Sequence, residues 1–126
     1  MKSAIAALLM LTASVIQAAP HLAQWTEIGH GAGGSLAYET TTLKRDGTHV
    51  LVWARLKYIP PRQDSIARYD QLMYRVSIDC ATDTMGLRGT SYLLNGVTVY
   101  SADAQTDGDL IEPDSIFYFL EQAVCK

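Results

Sequence analysis

His-Val-Leu-Val-Trp-Ala-Arg-Leu-Lys-Tyr-Ile, residues 49–59, is the stretch that decides the fold. Val50, Val52, Ala54, Leu56 and Tyr58 fall on one face, while Leu51, Trp53, Arg55 and Lys57 fall on the other. A period of two is the repeat of a β-strand, and one apolar face marks a strand covered on one side only. Pro60-Pro61 is expected to end it, because neither proline donates to a ladder.

Working outward from this strand, Lys44-Arg45-Asp46-Gly47-Thr48 reads as a hairpin, since Asp-Gly supplies positive φ in a tight turn. Ser35 to Leu43 and the shorter run Trp25 to Ile28 are strands rich in β-formers. The glycine-rich Gly29-His30-Gly31-Ala32-Gly33-Gly34 lies between them. A phosphate loop would need a following helix and a Lys-Ser/Thr pair, so this stretch reads as a turn. Downstream, Arg62 to Tyr69 is a polar connection. In Gln71 to Cys80, Leu72, Tyr74, Val76, Ile78 and Cys80 share a face. Thr84 to Leu94 and Val97 to Ser101 flank Asn95-Gly96, a strong hairpin signal. Ala102 to Asp109 reads as an acidic surface loop.

Pro113-Asp114-Ser115 opens the one helix, with either Asp114 or Ser115 able to cap its first turn. Ile116, Phe119, Leu120, Ala123 and Val124 recur at helical spacing and must be buried on a sheet face. The expected fold is therefore α+β: an antiparallel sheet of five to six strands packed against one C-terminal helix. Cys80 and Cys125 are the only cysteines and are expected to form a disulfide between strand and helix. A redox pair would ordinarily show Cys-x-x-Cys spacing, which is absent.

The N-terminus has the three parts of a secretory signal: Lys2, the apolar run Ala4–Leu11, and small residues at Ala18-Ala19. Residues 1–18 are expected to be cleaved, leaving one domain over 19–126, exported and soluble. The run is too short for a membrane anchor of roughly 20 residues. No Cys near the cleavage site offers lipid attachment, which favours a periplasmic or secreted destination over surface display. Loss of Lys2 shifts the formal charge from -3 to about −4, which argues against nucleic acid as a partner.

No catalytic constellation stands out. His30 and His49 lack a Gly-x-Ser-x-Gly nucleophile elbow, and His21, His30 and His49 lack metal-ligand spacing. Asp103, Asp107 and Asp109 miss the spacing of a calcium loop. The expectation is no enzyme, no metal and no cofactor. Trp53, Arg55 and Lys57, on the outward face of the central strand, form a candidate partner-binding strip, with the basic pair Lys44-Arg45 as its companion. Aromatic and basic side chains of this kind are enriched in protein interfaces.

Several segments in order resemble the surface-adhesin protein E family of Gram-negative bacteria. They are Trp25, Val50-Leu51-Val52-Trp53-Ala54-Arg55 with Tyr58, and Ser77-Ile78-Asp79-Cys80. Tyr92 ahead of Asn95-Gly96, Ile111-Glu112-Pro113-Asp114-Ser115-Ile116 and Val124-Cys125 complete the set. The resemblance implies an antiparallel sheet closed by a C-terminal helix and a disulfide. It further implies, for the named adhesin, surface display, homodimerisation and binding of host proteins such as laminin and vitronectin. The functional expectation is an exported, non-enzymatic protein-binding module. Its rival is a periplasmic envelope protein or an inhibitor of a cell-wall hydrolase.

Overall fold

The computed structural model describes residues 22–126; the expected signal segment 1–18 and His21 lie outside the described residues. Among the described residues, eight strands precede one helix. They are β1 (Trp25–Gly31), β2 (Gly34–Glu39), β3 (Lys44–Asp46), β4 (His49–Gln63), β5 (Arg68–Asp79), β6 (Thr84–Leu94), β7 (Val97–Asp103) and β8 (Asp109–Leu110), followed by α1 (Ile116–Val124). All pairings are antiparallel, in the order β1-β2-β4-β5-β6-β7, with β3 on β4 and β8 on β6.

The alternation in β4 is realised: Val50, Val52, Ala54 and Leu56 are buried, while Leu51, Trp53 and Arg55 are half-buried and Lys57 is exposed. Val50 opposes Ile78, Val52 opposes Val76 and Leu56 opposes Leu72, so one sheet face is continuously apolar. The helix covers part of that face. Leu120 and Val124 are fully buried against Val50, Val52, Val76, Ile78 and Met85. At 20–30 cal/mol per Å², each such side chain contributes about 1.5–3 kcal/mol. A second cluster of Leu36, Leu56, Tyr69 and Leu72 lies beyond the helix, with Tyr58, Tyr74, Tyr92 and Ile116 packed on it.

Ser115 is the N-cap: its hydroxyl accepts from the Tyr118 amide at 3.2 Å and donates to the Glu112 carbonyl at 2.7 Å. Cys125 ends the helix and is disulfide-bonded to Cys80, one residue beyond β5, with 5.6 Å between Cα atoms. Asn95 and Gly96 both take positive φ and close the β6–β7 hairpin as expected.

Some boundaries differ from the expectation. The strand count is eight because the sequence concealed β3 within a hairpin and β8 within the acidic loop. Pro60-Pro61 does not end β4; the ladder skips from Lys57 to Arg62, so the prolines occupy an irregular stretch that needs no ladder donors. β1 runs on through Gly31, with a bulge between Glu27 and Gly29. β2 stops at Glu39 rather than Leu43, because the Glu39 carboxylate captures the amides of Thr41 and Thr42 and turns the chain. Phe119, expected in the buried stripe, is 44% exposed, on the side of the helix that faces Ile28 of β1.

Candidate functional site

The sheet face opposite the helix carries the aromatic and basic residues. Trp53 opposes Arg75 on β5, and Arg55 opposes Ala37 on β2 and Met73 on β5. Trp25 on β1 shares this face through its pairing with Glu39. Two guanidinium groups lie over the two indoles: Arg55 is 4.3 Å from the Trp25 ring centre, and Arg75 is 5.3 Å from that of Trp53. Such contacts contribute about 0.5–1 kcal/mol at exposed sites. Burial lowers the pKa of Arg55, yet a guanidinium remains a cation at any physiological pH. The result is a half-buried strip of stacked, oriented cations that no helix of the described residues covers.

Of the residues expected from sequence, Trp53, Arg55 and Lys57 do share this face, with Lys57 exposed beyond Arg55. The basic pair is divided. Lys44 opposes Leu51, on the face of Trp53. Arg45 opposes Val50, on the helix side, where it donates to the Val124 carbonyl at 2.5 Å and satisfies an orphan acceptor of the last helical turn. Successive strand residues point to opposite faces, so adjacency in sequence separated the two charges. Arg75 and Met73 were not anticipated. They alternate with the buried Leu72 and Val76, so their face was readable, but their alignment with Trp53 required the register.

Beside the strip, a shallow recess is lined by Trp25, Glu39, Thr41, Thr42, Trp53 and Met73. Glu39 is 3% exposed. Its Oε1 accepts from the Gln24 amide (3.0 Å), the Thr41 amide (2.8 Å) and the Thr41 hydroxyl (2.5 Å). Its Oε2 accepts from the Thr42 amide (2.8 Å) and the Thr42 hydroxyl. Desolvation pushes the Glu39 pKa up, but the hydrogen bonds from Thr41, Thr42 and Gln24 outweigh it and hold the carboxyl far below the usual glutamate range. Glu39 is thus an ionised structural post at the edge of the strip.

At the far end of the same face, His49 Nε2 lies 3.5 Å from Asp79 Oδ2. Asp79 also accepts from the Ala81 amide at 3.0 Å and the Thr48 hydroxyl at 3.1 Å, which together with His49 hold its pKa below the ordinary aspartate value. His30 pairs with Glu27 at 3.4 Å, three residues along β1. Among the described residues, no cluster of three His, Cys, Asp or Glu side chains is placed to hold a metal ion. No helix of the described residues is long and apolar enough to cross a membrane.

In comparison with known proteins, the family model described as surface-adhesin protein E aligns with residues 25–126. No curated protein and no solved structure matches the chain.

Proposed function

The chain belongs to the surface-adhesin protein E family, and from that premise we propose that it is an exported, non-enzymatic module that binds a protein partner through the sheet face opposite its helix. The observation that carries this reading is the pair of Trp–Arg stacks on a face that no helix of the described residues covers. Stacking fixes the guanidinium planes before a partner arrives, so less side-chain entropy is lost on binding. Trp and Arg are also the residue types most often found to dominate interface energetics. Trp53, Arg55 and Lys57 form the centre of the proposed site and Lys44 its end, whereas Arg45 supports the site from the other side of the sheet. Host matrix and serum proteins, laminin and vitronectin among them, are the proposed partner class, and homodimerisation would present two such strips. A secreted form would meet those partners directly, and a periplasmic form only after release from the cell.

The test is binding of the purified, oxidised protein to immobilised laminin and vitronectin by surface plasmon resonance. Trp53→Ala should weaken binding about thirtyfold, the loss of a typical interface anchor. Lys44→Ala should also weaken it, while Arg45→Ala should lower thermal stability and leave affinity unchanged. If Trp53→Ala and Lys44→Ala bind like wild type, the site is elsewhere. If wild type binds neither ligand but inhibits a cell-wall hydrolase, the inhibitor reading replaces this one.

A further inference from the structure

On the helix side of the sheet, beside the second apolar cluster, an open groove of about 490 Å³ separates α1 from β2 and β4. Its volume is within the range of small-molecule sites, roughly 300–1,000 Å³. Ile28, Leu36 and Leu56 form the sheet wall, and Ile116 and Phe119 form the helix wall. One end is closed by the glycine turn. Gly34 has φ +146° and lies so close to the Lys57 carbonyl that a Cβ there would be 1.8 Å from the oxygen. Arg62 stands at this same end: its guanidinium lies at 4.2 Å over the ring of Tyr58, the residue paired with Gly34.

Charge decides what would occupy it. The chain has 13 Asp+Glu against 10 Lys+Arg, yet no carboxylate lines this groove. His30 and Lys57 border it, but by strand register both belong to the opposite sheet face, opposing Ser35. Arg62 is therefore the cation available to a ligand here, and it forms no ion pair among the described residues. An aliphatic trough with one oriented, unpaired guanidinium at its end complements an unbranched apolar chain ending in a carboxylate. We propose that this groove binds a free fatty acid of about twelve carbons, with the acyl chain between Leu56 and Phe119 and the carboxylate on Arg62. A planar guanidinium suits that head group because it can donate two parallel hydrogen bonds to a carboxylate.

The test is isothermal titration of the mature, oxidised protein with dodecanoate below its micellar concentration, with dodecanol and with anionic phospholipid vesicles. Saturable one-to-one dodecanoate binding is expected. Arg62→Gln should weaken dodecanoate binding about tenfold and leave dodecanol unaffected. Phe119→Asp, at an exposed position, should abolish both without loss of the cooperative thermal transition. Trp53→Ala should change neither, which separates this site from the partner strip. No saturable uptake, uptake insensitive to both Arg62→Gln and Phe119→Asp, or binding to vesicles alone would overturn the proposal.

Discussion

Replacing Glu39 by Gln tests how much of the fold's edge depends on one buried charge. The substitution preserves shape but exchanges one acceptor oxygen for an amide NH2. If the new carbonyl takes the position of Oε1, it keeps the Gln24 amide, the Thr41 amide and the Thr41 hydroxyl. The Thr42 amide, bonded to Oε2 at 2.8 Å, then faces a donor. The Thr42 hydroxyl can rotate and accept; the backbone amide cannot. Stranding one buried donor costs about 1–3 kcal/mol, and hydrogen bonds to a charged acceptor are each worth about 1.5–3 kcal/mol against roughly half that for a neutral one. A loss of about 2–4 kcal/mol follows, measured as the difference in urea unfolding free energy at pH 7. The pH profile supplies an independent check. A carboxyl whose folded pKa is depressed stabilises the fold above its unfolded pKa, near 4.3, and loses that contribution as pH falls below it. The gap between wild type and Glu39→Gln should therefore be constant above pH ~5.5. It should close below pH ~4.3 by up to ~1.4 kcal/mol per pH unit. A gap under about 0.5 kcal/mol at pH 7, within the range of neutral surface changes, or one that persists unchanged to pH 3, would refute the argument.

Two further outcomes follow from the geometry. Reduction of Cys80–Cys125, or the Cys80→Ser/Cys125→Ser double variant, frees a segment of 45 residues and should cost up to about 4 kcal/mol in the chain-entropy picture, read as a fall in the urea midpoint with and without reductant. Gly34→Ala should destabilise severely, because it adds a Cβ 1.8 Å from the Lys57 oxygen at a left-handed φ, whereas Gly29→Ala meets no atom within 4 Å; circular-dichroism melting of the two variants compares them directly.

How far the sequence could be read depended on whether a signal was local. The period of two in β4 and β5, the Asn95-Gly96 turn and the helical stripe are local properties, and each predicted its element. The Cys80–Cys125 link followed from cysteine count and from where those elements had to meet. What escaped the sequence was set by pairing. The Pro60-Pro61 break was absorbed by a ladder that resumes at Arg62, and β8 exists only because Thr84 and Met85 offer it an edge. The candidate strip shows the same division. The shared face of Trp53, Arg55 and Lys57 was visible from alternation, but its partners Trp25 and Arg75 come from other strands and depend on register. Lys44-Arg45 looked like one feature because neighbours in sequence look like neighbours in space, and in a strand they are not.

The short helix has a kinetic consequence beyond its role as a cover. It seals the cluster around Ile78 and Leu120, which the disulfide also fastens, and leaves the cluster around Tyr69 and Leu72 roofed by tyrosine rings and open at its rim. Opening energies within a domain follow such differences in local burial, so the two halves should exchange amide hydrogens on different clocks, the fastened half more slowly. The groove lies on the open half, lined by its Leu36, Leu56, Tyr58 and Ile116, so an occupant would grip the cluster that opens faster. A sheet that breathes at one end would then be quieted there.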